Sequence, residues 1–213
     1  MTAVEVSFSE VFASALRGHP CTVVGVHEQP LTLPVDRWTR PADADDLRLL
    51  DLCVGPTLDV GCGPGRLTEA LARAGHVALG IDIVEEAVVR TRNRGGCALL
   101  RDIFDPVPGE GRWQTALLAD GNIGIGGDPG ALLERACALL APGGRIVAEV
   151  AAPGAASTSS WATLESAHHR SRPFRWAVVG VDGVGLLASA VGLRVNGRHQ
   201  IGQRWFVVMT QAS

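Results

Sequence analysis

Three glycines at alternate positions, Gly61, Gly63 and Gly65, constrain this chain more than any other feature. A short β-prone run, 57–60, leads into them, and a helix-like pattern, 66–73, follows at once. Glycine has no Cβ, so it can adopt positive φ and let a ligand lie against bare backbone. A turn between a strand and a helix N-terminus directs free N–H groups at whatever binds there. The pattern therefore predicts a site for a nucleotide-type cofactor.

The acidic residues near this turn help to choose the cofactor. The next strand candidate, 76–83, carries Asp82, 23 positions after Asp59. In nucleotide-binding βαβ units a carboxylate at such a strand tip accepts hydrogen bonds from ribose hydroxyls. The dinucleotide fingerprint also requires a third glycine, where this chain has Arg66. The long side chain disfavours a nicotinamide dinucleotide, and the chain has no tyrosine or lysine for oxidoreductase chemistry.

Asp59 with glycines at the second, fourth and sixth positions after it resembles motif I of the class I S-adenosylmethionine (SAM)-dependent methyltransferases. Asp102 follows a third strand candidate, and a Leu-Ala-Pro-Gly-Gly turn at 140–144 precedes a fifth, 146–150, as is frequent in that family. The resemblance covers residues 57–150. It implies an α/β fold with a doubly wound, mostly parallel sheet of seven strands, the Rossmann-like methyltransferase fold. The family's strand order is 3-2-1-4-5-7-6, with the last-numbered strand antiparallel.

The same resemblance implies which residues contact SAM and its product, S-adenosylhomocysteine. Asp82 would bind the ribose, Asp102 would meet the adenine amino group, with Asp105 as the competing acid, and Ile103 would pack on the adenine ring. Asp120, together with Asn122, would meet the methionine end or the acceptor; the alternative is that 121–127 is only a flexible loop. The full set on the cofactor side is Asp59, Gly61, Cys62, Gly63, Gly65, Asp82, Ile83, Asp102, Ile103 and Asp120.

Two segments are expected to cover the acceptor. Residues 1–40 form an N-terminal cap or lid before a methyltransferase domain at 41–213, and 153–176 form a substrate-side insertion within that domain. Both segments contain several aromatic residues, which favours a small, partly apolar acceptor. If the acceptor needs a general base, four residues could serve as that base, and the sequence does not choose among them. They are His27, His168, His169 and Asp120.

Composition agrees with a single cytoplasmic enzyme domain. The net charge is −3 and all 19 basic residues are scattered arginines, which disfavours a nucleic-acid partner. No apolar run approaches the roughly 18 residues of a membrane span. The N-terminus lacks the pattern of a signal peptide, and the five cysteines have no metal-ligand spacing. We therefore expect reduced thiols, no metal and no membrane partner, with the oligomeric state left open.

The main expectation for function is methyl transfer from SAM to a small molecule, by in-line displacement at the SAM methyl group. The protein's task in such a reaction is to align the acceptor and exclude water. Two other functions stay open. One is a SAM-binding protein without methyl transfer, either regulatory or degenerate, and the other is an NAD-dependent oxidoreductase.

Overall fold

The computed structural model describes residues 3–212, so the first two positions of the predicted cap lie outside the described residues. In chain order the strands are β1 (Val4–Val6), β2 (Thr22–Val24), β3 (Leu31–Thr32), β4 (Thr57–Val60), β5 (Ala78–Asp82), β6 (Ala98–Leu100), β7 (Trp113–Leu118), β8 (Leu140–Val150), β9 (Thr158–Glu165), β10 (His169–Ser171), β11 (Phe174–Val178), β12 (Leu193–Ile201) and β13 (Arg204–Gln211). The helices are α1 (Phe8–Leu16), α2 (Val35–Thr39), α3 (Ala44–Leu50), α4 (Arg66–Arg73), α5 (Glu85–Asn93), α6 (Pro129–Leu139) and α7 (Val184–Ala190).

Seven strands form the main sheet in the order β6-β5-β4-β7-β8-β13-β12. The first five are parallel to one another, and β13 is antiparallel to both β8 and β12. Numbered along the chain, this is the order 3-2-1-4-5-7-6, so the predicted α/β fold is confirmed. The order reverses between β4 and β7, and open sheets bind ligands in the crevice beyond the carboxyl ends of strands at such a switch point.

The central strands β4 and β7 are buried at every position but one because helices cover both faces of the sheet. Strand β7 illustrates this, since successive side chains of a strand point to opposite faces. Ala116 and Leu118 belong to the core cluster that contains Leu133 of α6. Leu117 lies in the cluster on the other face, with Leu67 of α4. This double packing fixes the register of the strands whose tips carry the candidate site.

A second, smaller sheet joins the two segments that were expected to cover the acceptor. We call it the cap sheet; it contains β1, β10, β9, β2 and β3, and β11 pairs with β9. Val4–Val6 lies parallel to His169–Ser171. Strand β2 lies antiparallel to β9. The N-terminal segment and the insertion are therefore one structural unit, and its last strand ends at Val178, two residues beyond the predicted insertion.

Several element boundaries differ from those predicted. The strand predicted over 76–83 is shorter, Ala78–Asp82, and α5 begins at Glu85, because the Asp82 carboxylate accepts the N–H of Val84 and Val84 stays extended at φ −106°. The fifth strand begins at Leu140 rather than 146, since Leu140 already pairs with Trp113 before the register shifts. The longest helix in 3–212 has 11 residues, and none there has the length and apolar content needed to cross a bilayer.

Candidate cofactor and acceptor site

The glycine turn lies at the carboxyl end of β4, and its three glycines have different surroundings. All have positive φ: +68° at Gly61, +53° at Gly63 and +83° at Gly65, which caps α4. A Cβ on Gly65 would lie 2.7 Å from the Cα of Thr91. A Cβ on Gly61 would lie 2.7 Å from the side-chain nitrogen, Nδ2, of Asn122. A Cβ on Gly63 would meet nothing within 4 Å. Two glycines thus permit close packing, and Gly63 alone presents bare backbone to open space.

Asp82, at the tip of β5, is bonded to this turn. Its Oδ2 accepts the N–H of Gly63 at 2.9 Å, and its Oδ1 accepts the N–H of Val84 at 2.8 Å. Burial raises the pKa of Asp82, and these backbone hydrogen bonds oppose the rise without cancelling it. The structure therefore brings together the two features that the sequence analysis associated with a nucleotide-type cofactor, the open glycine and the strand-tip carboxylate.

Asp59 lies beneath the turn, 3% exposed. Its Oδ2 accepts the Thr68 hydroxyl at 2.6 Å, which fastens the first turns of α4 to β4. Burial raises the pKa of Asp59 to about 6, although the Thr68 hydrogen bond and Arg66 act in the opposite direction. Burial likewise raises the pKa of the neighbouring Cys62 thiol. Asp59 thus supports the cofactor turn from below and does not face the open space above Gly63.

Beyond the tip of β6, the exposed apolar side chain is Phe104 and not Ile103, which was expected to pack on the adenine ring. The Asp102 carboxylate accepts the N–H of Phe104 at 3.0 Å, so it closes a turn. Ile103 is 3% exposed and belongs to the core, so its side chain is not presented to the site. Ile83 and Phe104 are 49% and 47% exposed. Phe104 was not among the expected cofactor contacts, although an aromatic residue two positions after a strand-tip acid was a usable signal.

The segment after β7 is fixed to the glycine turn. The Asn122 side chain donates to the carbonyl oxygens of Val60 and Gly61, at 2.8 and 2.9 Å. Asp120 has φ +53°, the one positive φ outside glycine among residues 3–212. Its N–H donates to the Glu149 carboxylate at 2.6 Å. The segment near Asp120 and Asn122 is therefore held by specific hydrogen bonds, unlike the flexible loop that was the alternative.

Charged side chains from five different parts of the chain meet beside Asp120. We call this group the ionic cluster; it consists of Arg40, Asp43, Asp46, Arg66, Asp120, Glu149 and Arg204. The Arg66 guanidinium donates twice to Asp46, both at 3.1 Å, and to both oxygens of Asp120, at 2.6 and 3.0 Å. Arg66, which the sequence analysis used only to argue against a dinucleotide, therefore links the cofactor helix to α3 and to the end of β7.

Arg204, at the start of β13, completes the cluster. Its guanidinium donates to Glu149 at 2.7 and 2.9 Å and to Asp46 at 2.8 Å. Asp46 is fully buried. Burial raises the pKa of Asp46, but hydrogen bonds and charge from Arg66 outweigh it and hold the pKa below its ordinary value. Buried charges are tolerated only when they are paired in this way.

The four candidates for a general base lie in different environments. The Asp120 carboxylate accepts hydrogen bonds from Arg66 through both oxygens. His27 and His168 are exposed. His169 is also exposed and lines a cleft of about 570 Å³ between α1 and α5, together with Glu85 and Glu86. All three histidines are therefore exposed, and none of them takes part in the hydrogen bonds described above for the Asp120 turn.

A second cavity, of about 490 Å³, lies at the carboxyl end of β8. We call it the strand-end cavity. Its walls come from the end of β8, the start of β13, and the segment that contains α2 and the start of α3. Glu149 and Arg204 belong both to its lining and to the ionic cluster. The cavity is therefore next to the Asp120 turn and open to a small polar molecule.

The cap sheet and α1 contribute a continuous row of aromatic side chains. Centroid distances are 5.5 Å for Phe8–Phe12, 4.9 Å for Phe8–Phe174 and 6.4 Å for Phe174–Trp176. Trp38 extends the row, 5.7 Å from Phe12. The backbone of Trp176 forms a β-bridge with Ile125, which follows the Asp120 turn. The aromatic row thus joins both predicted cap segments and reaches the end of β7.

Comparisons with known proteins agree with this architecture. Residues 57–144 match the sequence profile of a family described as a methyltransferase domain. No curated protein matches the chain in sequence. A SAM-dependent methyltransferase from Bacteroides fragilis, solved in complex with S-adenosyl-L-homocysteine, superimposes with a TM-score of 0.80 at 20% identity, covering 100% of this chain and 98% of that chain.

Two further solved structures show a similar core. The CcbJ methyltransferase from Streptomyces caelestis gives a TM-score of 0.63 at 18% identity, covering 83% of this chain and 92% of its own. The 1,6-didemethyltoxoflavin-N1-methyltransferase from Burkholderia thailandensis gives 0.61 at 19% identity, covering 84% and 82%. These likenesses show the Rossmann-like methyltransferase fold, and the match of residues 57–144 to the methyltransferase-domain profile agrees with the resemblance inferred from the sequence.

Proposed function

We propose that this protein transfers the methyl group of SAM to a small-molecule acceptor. The observation that carries the proposal is the open face of Gly63, at φ +53° with no atom within 4 Å of a Cβ built there, beside the bonded carboxylate of Asp82. Bare backbone next to a strand-tip carboxylate fits a nucleoside. The B. fragilis structure, whose fold this chain shares over its whole length, was solved in complex with S-adenosyl-L-homocysteine.

The residues around Gly63 fit the parts of SAM. The Asp82 carboxylate would accept the ribose hydroxyls, and the exposed side chain of Ile83 would cover one face of the adenine ring. Asp102 and Phe104 lie beyond the tip of the neighbouring strand and would adjoin the adenine end. The turn at Asp120 would adjoin the methionine end, because Asn122 bonds it to Gly61. When bound, SAM supplies a sulfonium that makes its methyl group electrophilic.

The cap is proposed to cover the acceptor. Residues 1–40 and 153–176 contribute the aromatic row, which would exclude water and give a partly apolar wall. A small molecule is favoured over nucleic acid by the net charge of −3 and by arginines that are engaged with carboxylates. We also propose a cytoplasmic location, because the five cysteines are free thiols.

Calorimetric titration of the purified protein tests the cofactor. We expect binding of SAM and of S-adenosylhomocysteine and no binding of NAD, because Arg66 occupies the place of the dinucleotide's third glycine and is bonded to Asp46 and Asp120. Transfer of a labelled methyl group to a component of a metabolite extract would separate an enzyme from a protein that only binds SAM. Tight binding of NAD with none of SAM would refute the proposal.

An Asp82→Ala variant is expected to bind SAM about ten- to a hundred-fold more weakly, equivalent to about 1.5–3 kcal/mol, through lost ribose hydrogen bonds. The variant also lacks the hydrogen bond that the N–H of Gly63 donates to the Asp82 carboxylate. Asp105→Ala is the matched control, since Asp105 is an exposed acid at the neighbouring strand tip whose contacts are made by its backbone. Equal affinities of the two variants would show that Asp82 only caps α5.

A further inference from the structure

We propose that Glu149 is a positioning residue: together with Arg66 it holds the Asp120 turn in the shape that receives the methionine part of SAM. This inference rests on the proposed function, because it concerns how the same cofactor site recognises one end of its ligand. Three observations carry it: the backbone conformation of the turn, the hydrogen bonds that fix it, and the burial of the side chains that make those bonds.

The Asp120 turn comprises residues 119–122 and follows β7 directly. Asp120 and Gly121 have φ of +53° and +81°, and the N–H of Asn122 donates to the carbonyl oxygen of Ala119 at 2.9 Å. Two left-handed central residues and this hydrogen bond define a type I′ turn, for which Asp-Gly is a preferred sequence. Such turns usually join the strands of a β-hairpin. Here the turn ends a parallel strand at the switch point of the sheet, so it borders the ligand crevice.

Two backbone groups of this turn are left for a ligand. The N–H of Asp120 is bonded to Glu149, and the carbonyl oxygen of Gly121 accepts the N–H of Gly124 at 2.9 Å. Within residues 3–212, the carbonyl oxygen of Asp120 and the N–H of Gly121 have no hydrogen-bond partner. The methionine part of SAM carries an ammonium, which donates, and a carboxylate, which accepts. The direction in which the turn presents its free groups therefore decides how well this part is bound.

Glu149 and Arg66 hold Asp120 from two sides. Glu149, next to the last residue of β8, accepts the N–H of Asp120 at 2.6 Å. Arg66, the first residue of α4, donates to both carboxylate oxygens of Asp120, at 2.6 and 3.0 Å. A non-glycine residue persists in the left-handed region only where its surroundings determine it, and such residues concentrate at ligand sites. A glycine at this position would adopt the same φ freely but would offer Arg66 no carboxylate.

Buried arginines make this support rigid. Arg204 donates to both oxygens of Glu149, at 2.9 and 2.7 Å. Arg66 and Arg204 are 4% and 9% exposed, whereas the side chain of Asp120 is 19% exposed, so the supporting groups lie deeper than the turn they support. Both guanidiniums already pair with the fully buried Asp46. The bond from Glu149 to a backbone N–H therefore orders the turn in addition to balancing charge, as in sites whose ligand contacts are pre-organised by a supporting layer.

Two ligands that differ in the methionine part test the assignment on the full chain by calorimetry. S-adenosylhomocysteine has this part, whereas 5′-methylthioadenosine keeps the adenine, the ribose and the sulfur and has a methyl group in its place. Glu149→Ala is expected to bind S-adenosylhomocysteine about tenfold more weakly and to bind 5′-methylthioadenosine within about twofold of wild type. Glu149→Gln keeps an oxygen that can accept the N–H of Asp120, so it should restore most of the lost affinity. A merely structural role would lower both affinities alike.

Glu110→Ala is the matched control at the adenine end. The Glu110 carboxylate also accepts a backbone N–H, from Val107 at 2.8 Å, and an arginine, Arg135 at 2.6 Å. Both ligands contain adenine, so any loss of affinity in this variant should be equal for the two. Equal losses in Glu149→Ala, or an unchanged affinity for S-adenosylhomocysteine, would overturn the proposal. If the wild-type protein bound neither ligand, the proposed function itself would be refuted.

Amide hydrogen exchange on the wild-type protein tests the same turn even if Glu149→Ala does not fold. S-adenosylhomocysteine is expected to slow exchange both at the glycine turn, 61–65, and at 119–125. The ligand without the methionine part, 5′-methylthioadenosine, is expected to slow exchange at 61–65 but not at 119–125. Equal protection of 119–125 by the two ligands would place the Asp120 turn away from the methionine part and would contradict the role proposed for Glu149.

Discussion

An Asp46→Ala variant is expected to lose about 3–5 kcal/mol of unfolding free energy, the usual cost of removing one member of a buried ion pair. Asp46 is fully buried and accepts hydrogen bonds from Arg66 at 3.1 Å and from Arg204 at 2.8 Å. Both guanidiniums are themselves at least nine-tenths buried. Removal of the carboxylate leaves their charge partly uncompensated. Denaturant titration followed by circular dichroism measures the loss.

Asp45→Ala is the matched control for this variant. Asp45 is the adjacent residue of α3, its side chain is 43% exposed, and it lies 3.5 Å from the exposed Arg48. Exposed pairs of this kind contribute little, so we expect a change within about 0.5 kcal/mol. If the two variants lost equal stability, the ionic cluster would not be what holds α3 to α4 and β13.

The pH dependence of the same variant gives a second readout. The pKa of Asp46 lies below its ordinary value of 3.8 in the folded protein, so the unfolded chain binds more protons as the pH falls. Asp46 therefore stabilises the fold at neutral pH and loses this contribution as the pH decreases below about 4. The stability difference between wild type and Asp46→Ala is expected to shrink in acid. A difference that stayed constant would show that Asp46 acts through packing alone.

The ion pairs of the ionic cluster could not be predicted from the sequence. Asp46 and Arg204 are 158 positions apart. In the sequence, Asp46 is one of three aspartates at a helix start, a pattern equally typical of an exposed helix N-terminus. Burial of a charge depends on which partners the fold brings to it, and no local pattern records that. Arg66 was identified as the residue that breaks the dinucleotide fingerprint, but its partners were not predictable.

The cofactor turn was predictable because its requirements are local. Positive φ at Gly61, Gly63 and Gly65 follows from a tight turn between a strand and a helix, and such a turn needs glycine whatever surrounds it. Asp82 was predictable as a site residue because it lies at the tip of the next strand. The cap sheet was not predictable in the same way, because β1 and β10 are three-residue strands whose paired residues, such as Val4 and His169, are 165 positions apart. Strands that short have no periodic pattern, and their pairing depends on the fold of the core.

A Gly63→Ala variant is expected to lose SAM affinity on the order of a hundredfold or more, about 2.7 kcal/mol, while the protein stays folded. The new methyl group meets no protein atom within 4 Å, so it enters the space where the cofactor would lie against bare backbone. The left-handed backbone at φ +53° adds a stability cost of about 1–2 kcal/mol for alanine. Calorimetry measures the affinity, and thermal unfolding measures the stability.

Alanine variants of two other glycines distinguish a loss of SAM binding from an effect of backbone strain. Gly75 has φ +85° and also has no atom within 4 Å of a Cβ, but it follows α4 at the end away from the site. Gly75→Ala should therefore show the same loss of stability with unchanged SAM affinity. Gly65→Ala should destabilise the protein more strongly, because its Cβ would lie 2.7 Å from the Cα of Thr91. If Gly63→Ala bound SAM as well as Gly75→Ala does, the cofactor could not lie across the glycine turn. The cofactor would then have to bind elsewhere at the carboxyl ends of the parallel strands.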